Sequence, residues 1–157
     1  MDSSLDPSKA DQSADSTAED RVVVSVDAMG GDRGPEAVVA GCAQSVSDDP
    51  RLDLLIHGNA AVLEPLVARQ PVLAGRCTVV HADGVVTMED KPSHVMRHGK
   101  DTSMWSTIAA LKDGRGHAAV SCGNTGALMA VSMIQLRRMK GVNRPAIAIL
   151  WPSRNPQ

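Results

Sequence analysis

The sequence predicts an α/β domain built on a doubly wound, mainly parallel sheet, and three observations carry that prediction. Short β-branched runs alternate with stretches of helical composition from Arg21 onward. The runs read as apolar nearly throughout rather than alternating with polar residues, the pattern of strands covered on both faces. Glycine, proline or a capping residue separates each run from the next helix, as right-handed strand–helix–strand crossovers require.

Composition agrees with one domain or a piece of a larger one. Of 157 residues, 43% are hydrophobic and 22% charged, enough for a packed core. Aromatics make up 1%, with no Phe or Tyr, so the core is aliphatic and rich in Met. A nucleic-acid reader built on stacked aromatic rings is excluded. No apolar stretch approaches the ~18 residues of a membrane-spanning helix. Cys42, Cys77 and Cys122 form neither CxxC nor a zinc spacing, and read as reduced, mostly buried thiols of a cytosolic protein.

The elements follow in order. Residues 1–20 set six acids against Lys9, are rich in Ser and hold almost no apolar side chains, which reads as a disordered acidic tail. They lack the basic start and apolar stretch of a secretory signal. Residues 21–157 form the folded part, which is mildly basic and suits an anionic ligand. Arg21–Asp27 is the first strand, and Pro35–Val46 the first helix with Pro at its start. Leu52–His57 is the second strand, and Asn59 caps a helix to about Ala68 that contains Pro65. Cys77–His81 is the third strand. Residues 82–101 are irregular, with a short helix after Pro92. Ser103–Lys112 is a helix, His117–Cys122 the fourth strand, and Thr125–Met139 the best helix of the chain. Arg137, Arg138 and Lys140 suit its negative end, and Gly141 its C′ position. Ala146–Trp151 is a fifth strand. The helix expected after it is missing before Gln157, so the chain reads as cut in mid-fold.

Two loops hold candidate chemistry. Asp27-Ala28-Met29-Gly30-Gly31-Asp32-Arg33-Gly34-Pro35 lets backbone approach a ligand at Gly30 and Gly31 and ends at a helix start. Asp27 and Asp32 accept hydrogen bonds or orient a donor; the alternative is a tight turn. Neither GxGxxG nor GxxxxGK[ST] occurs, so those two nucleotide-binding devices are absent. Ser121-Cys122-Gly123-Asn124-Thr125-Gly126 is a cradle for phosphate or a developing oxyanion, or an ordinary capped turn. Around Ser121 the sequence has the outline of a nucleophile elbow, but no His follows His117. A Cys122 nucleophile needs a base and an electropositive setting, so a buried thiol is the simpler reading. His94 and His98 form HxxxH without the Glu of HExxH or a third ligand, and a solvated pair is simpler. Arg97 suits bidentate phosphate binding or is a surface charge. Trp105 is a core or interface anchor, while His57 and His81 end strands facing either ligand or solvent.

Together, several segments resemble one family in order and spacing over about residues 21–152. They are Asp27–Asp32 with Gly34-Pro35, Pro92 followed by Arg97, Thr102-Ser103-Met104, Ser121–Met129, and Gly141 with Arg144-Pro145-Ala146. The family is the bacterial phosphate acyltransferase of phospholipid synthesis (PlsX), and the likeness covers only its N-terminal part. Cys122 stands where the family usually has Ala, Gly99 where Lys is frequent with Lys100 adjacent, and Thr102 where Ser is frequent. The resemblance implies a three-layer fold like that of phosphotransacetylases and isocitrate-type dehydrogenases. It implies conversion of acyl-acyl carrier protein and inorganic phosphate to acyl phosphate, without metal or cofactor. It implies a cytoplasmic homodimer, peripherally associated with the membrane, that hands acyl phosphate to a membrane acyltransferase. It assigns catalytic roles to Asp27, Asp32, Arg97 and Asn124. Substrate and phosphate contacts fall to Gly30, Gly31, Arg97, Ser103, Ser121, Gly123, Asn124, Thr125 and Gly126. A phosphotransacetylase-like enzyme using acyl-coenzyme A and an inactive truncated fragment remain open, and a dehydrogenase-like nucleotide binder is disfavoured by the absent GxGxxG.

Overall fold

The computed structural model describes residues 21–143 and 145–148. Four parallel strands, β1 Val22–Asp27, β2 Leu52–Gly58, β3 Cys77–His81 and β4 Ala118–Ser121, pair in the order β3-β2-β1-β4. The chain steps outward from β1 to β3, then returns to the far side of β1 for β4. That reversal makes the gap between the carboxyl ends of β1 and β4 a topological switch point, where open parallel sheets bind ligands. Among the described residues the α-helices are α1 Gly34–Asp48, α2 Ala60–Ala68, α3 Pro92–His98, α4 Ser103–Lys112 and α5 Thr125–Gln135. The α/β doubly wound architecture expected from the sequence is thus present.

Strand alternation assigns the two faces. Val26, Leu54 and Ile56 pack with Val39 and Val46 of α1 and Leu63 of α2. On the other face Met104 and Ile108 of α4 join Val95 of α3 and Ala127 and Val131 of α5. At the sheet this second face is partly polar: Ser25, Asp27 and His57 lie there, all buried, alongside Ala119.

His57 links the sheet to α4. The Ser25 hydroxyl donates its single proton to the Thr107 carbonyl at 2.9 Å. It therefore accepts from His57 Nε2, also 2.9 Å away, and His57 Nδ1 is left to accept from the Ser106 hydroxyl at 2.8 Å. The ring is neutral, and burial, aided by the charge of Arg115, pushes its pKa down to about 4. The unfolded chain takes up this proton near the ordinary histidine value of about 6.5, before the folded protein does. Stability is therefore full above that pH and falls by about 1.4 kcal/mol per unit as the pH drops toward 4. Melting curves across that window should show the decline, and His57→Gln should flatten it. An equal acid slope in both proteins would refute the assignment.

At the opposite rim one carboxylate joins three strands. Asp53, on β2, accepts from Arg21 Nε at 2.7 Å just before β1 and from Arg76 Nε at 2.8 Å just before β3. Arg76 also donates to the carbonyls of Pro50 and Leu52.

Three expectations change. Helix α5 stops at Gln135 rather than Met139, and Arg137 turns into the left-handed region at φ 64°. Helices persist where packing supports them. The last apolar residues, Ile134, Leu136 and Met139, are exposed, while Gln135 ties the helix end to the Trp105 carbonyl at 3.0 Å. Arg137, Arg138, Lys140 and Gly141 consequently lie beyond the helix. Ala146, Ile147 and Ala148 carry no strand pairing, and the rest of the expected fifth strand, with Arg144 and the acidic tail, falls outside the described residues. The thiols are not mostly buried: Cys42 is buried, Cys77 half-buried and Cys122 exposed, all unpaired. Burial pushes Cys42 and Cys77 up to about 11. Cys122 is open because it lies one residue past the end of β4. Among the described residues no helix is long and apolar enough to cross a membrane.

Candidate functional site

Parallel pairing sets Asp27 beside Ser121 at the carboxyl ends of β1 and β4. The carboxylate is 2% exposed and joins three elements. Ser103, the first residue of α4, donates to Oδ1 at 2.6 Å, and Ser121, the last of β4, donates to Oδ2 at 2.8 Å. The Met29 N–H adds a longer contact to Oδ1 at 3.3 Å. Each hydroxyl has one proton, and both are directed at Asp27. Ser121 Oγ in turn accepts from the Gly123 N–H at 3.1 Å, so Asp27 orients the second loop through Ser121.

The two glycine loops touch through bare backbone. A Cβ on Gly30 would lie 2.7 Å from Asp27 Oδ2 and 3.0 Å from the Gly123 nitrogen. Gly31 stands at φ 97°, where a Cβ would meet that of Cys122 at 2.9 Å. Both positions therefore require glycine, one for close approach and one for backbone hand. Among the described residues, no backbone acceptor meets the N–H groups of Gly30, Gly31 and Asp32. The same holds for Thr125 and Gly126 in the first turn of α5. These donors lie on the two loops at the positive end of α5, the setting in which backbone amides take an anion.

Asn124 sits at the joint rather than open to a ligand. Its Oδ1 caps α5 by accepting from the Ala127 N–H at 3.0 Å. Its Nδ2 donates to the carbonyls of Thr87, Met88 and Asp90, at 3.2, 3.2 and 2.9 Å. The 87–90 turn is itself closed by Asp90, whose carboxylate accepts from the backbone and hydroxyl of Thr87. Those bonds hold its pKa below the ordinary value. Pro92, opening α3, packs on Gly126, since a Cβ there would lie 3.1 Å from its Cγ. Arg97 is exposed near the other end of α3 and pairs with no described acid. Asp32 is also exposed, beside the open amides of its loop.

The structure thus brings together Asp27, Gly30, Gly31, Ser103, Ser121, Gly123, Asn124, Thr125 and Gly126, with Pro92 of α3 packed alongside; Arg97 is not brought into contact with them. Ser103, Ser121 and Asn124 meet protein partners through the groups that would hold a ligand. His94 and His98 stack their rings 4.9 Å apart on exposed positions of α3. His81 is exposed and bonds Asp83 at 3.0 Å. Sequence reasoning missed the buried Ser25–His57–Ser106 chain; its signal was two polar residues facing one way within otherwise apolar strands.

Comparison with known proteins gives the family. The family model described as "Fatty acid synthesis protein" matches residues 22–157. The chain is 60% identical over 147 residues to a phosphate acyltransferase of Cereibacter sphaeroides, covering 94% of this chain and 40% of that protein. It is 63% identical over 138 residues to one of Paracoccus denitrificans, covering 88% and 37%. It is 64% identical over 137 residues to one of a Ruegeria species, covering 87% and 36%. The chain therefore spans about two fifths of the length of these curated relatives. With its motifs set in paired glycine loops on a doubly wound sheet and its match running almost from end to end, the chain belongs to the fatty acid synthesis protein family that its phosphate acyltransferase relatives represent.

Proposed function

We propose that this chain forms the phosphate-holding part of an enzyme that converts acyl-acyl carrier protein and inorganic phosphate to acyl phosphate and free carrier protein in phospholipid synthesis. The observation that carries the reading is the backbone contact of the two glycine loops, with open amides on both. A phosphate oxygen attacks the thioester carbonyl carbon, the C–S bond breaks, and the sulfur leaves with the proton that phosphate gives up. Such a reaction needs a positioned dianion and donors for the oxyanion, with no enzyme nucleophile. The amides of Gly30, Gly31, Thr125 and Gly126 supply the donors. Gly123 lets the loops close on one another, and Arg97 adds charge for the phosphate. Asp27 keeps Ser103 and Ser121 in place, Asn124 holds the mouth of the site, and Asp32 orients the incoming groups. In the same reading the full-length protein is a cytoplasmic homodimer that visits the membrane surface and passes acyl phosphate to a membrane acyltransferase.

The test joins this chain to the remaining length of the Paracoccus denitrificans relative and measures acyl phosphate formed from each thioester. Turnover with the carrier-protein thioester supports the proposal. Turnover with acyl-coenzyme A alone supports a phosphotransacetylase-like enzyme, and none supports a non-catalytic chain. In the active chimera, Arg97→Ala should lower the rate at subsaturating phosphate by roughly ten- to a hundredfold, the worth of one charged hydrogen bond. Unchanged phosphate kinetics would remove Arg97 from the site.

A further inference from the structure

The first turns of α4 are fastened to the sheet at two neighbouring points. Strand register sets His57, Asp27 and Ser121 side by side across β2, β1 and β4. Asp27 accepts from the Ser103 hydroxyl at 2.6 Å, and His57 accepts from that of Ser106, about one helical turn further along, at 2.8 Å. Ser25, on the same face as Asp27, donates to the Thr107 carbonyl, and Thr107 Oγ1 donates to the Ser103 carbonyl at 2.8 Å. Ser25, His57, Ser103 and Thr107 are all buried. Among the described residues no buried side-chain nitrogen or oxygen lacks a partner, so the set is fully satisfied. A continuous path thus runs from His57 through Ser106, Ser103 and Asp27 to Ser121 and the Gly123 N–H of the second glycine loop.

We propose that His57 is a positioning residue for the site at the glycine loops. By holding Ser106 it fixes the rotation of α4 about its axis, and so where the Ser103 hydroxyl meets Asp27 and how Ser121 carries the second loop. The inference rests on the acyl transfer proposed above for its kinetic test alone. Two considerations favour positioning over mere filling of the core. Stability does not call for polar groups here, because carbon side chains of like volume pack as well and leave nothing to satisfy. Apolar contacts also have no preferred direction, whereas hydrogen bonds weaken steeply off line and so set a helix's rotation. The placement agrees: Ser103, Ser106 and Thr107 all fall in the first half of α4, beside the site, and its later buried positions, Ile108 and Ala110, are apolar.

Three variants separate the two roles. Ser106→Ala removes the link and leaves Nδ1 of His57 unmet, while Ser106→Thr keeps the hydroxyl. The double variant, His57→Leu with Ser106→Ala, replaces both partners by carbon, and Ser25 still has the Thr107 carbonyl, so the core is satisfied again. In the chimera with the Paracoccus denitrificans remainder, Ser106→Ala and the double variant should each lose roughly tenfold in kcat, while KM for phosphate moves by less than about threefold, the mark of reacting groups slightly misplaced. Ser106→Thr should run at the parent's rate, and the double variant should melt close to the parent. Hydrogen exchange read by mass spectrometry gives a measure independent of turnover: in the double variant the segment 119–126 should exchange roughly tenfold faster, with β3 unchanged. Faster exchange there in a chimera that forms no acyl phosphate would support the positioning role and reject the acyl-transfer reading. A double variant that melts and turns over like the parent would show that His57 only fills the core. That result, or unchanged exchange at 119–126, or Ser106→Thr as slow as Ser106→Ala, would overturn the proposal.

Discussion

Asp27→Ala should bring the protein close to unfolding. The substitution removes two charge-assisted hydrogen bonds at once, from Ser103 and Ser121, and strands the buried Ser103 hydroxyl and the half-buried Ser121 hydroxyl. Each such bond is worth about 1.5–3 kcal/mol, so the expected loss is about 3–6 kcal/mol from a total of about 5–15. Three elements part company together, because β1, the start of α4 and the end of β4 meet at this carboxylate. Asp27→Asn should lose less: its oxygen still accepts one hydroxyl, while its amide faces the other. Urea titration of the three proteins orders them, with the wild type first and Ala last. An Ala variant within about 1 kcal/mol of wild type would mean that Ser103 and Ser121 find each other without the acid.

Gly30→Ala should cost activity far more than stability. The added methyl meets Asp27 Oδ2 at 2.7 Å and the Gly123 nitrogen at 3.0 Å, and neither is the far end of a flexible side chain. The loops must therefore move apart. Overpacking of this kind destabilises by about 1–3 kcal/mol. Displacing reactive groups by about 1 Å can cost a hundredfold in rate, and a loss of that order is expected in the chimera. Gly114→Ala is the control: it strains a left-handed turn at φ 71° in open space, away from both loops. It should lose about 1–2 kcal/mol with turnover intact. Equal effects of the two substitutions on rate would show that loop contact is not what the chemistry needs.

The elements were legible where local signals and packing agreed. Asn59 at a helix start, Pro35 inside the first turn and the β-branched run after Arg21 each act within a few residues, and each holds in the structure. The end of α5 was not legible, because it depends on where Val131 stops finding neighbours rather than on Gly141. Both glycine loops were visible as loops. Their contact was not, since it follows from β4 returning beside β1, a fact of topology. Direction was hidden too: nothing local says that the protons of Ser103 and Ser121 turn inward to Asp27, or that Asn124 reaches back to the 87–90 carbonyls. His57 was read as a strand end facing ligand or solvent, and lies wholly inside because Ser25 and Ser106 arrive from two other elements to satisfy it.

The Asp53 carboxylate, gripped by Arg21 and Arg76, stands at the amino-terminal rim of the sheet, a full strand length from the glycine loops. The two rims are therefore separable places to intervene. A dye, a surface tether or an affinity handle attached near Pro50 reports on the chain from its load-bearing edge and leaves the loop edge unencumbered. Repeated rounds of substitution can likewise draw from different pools, with changes around Asp53 tuning durability and changes around Gly30 tuning what the molecule accepts.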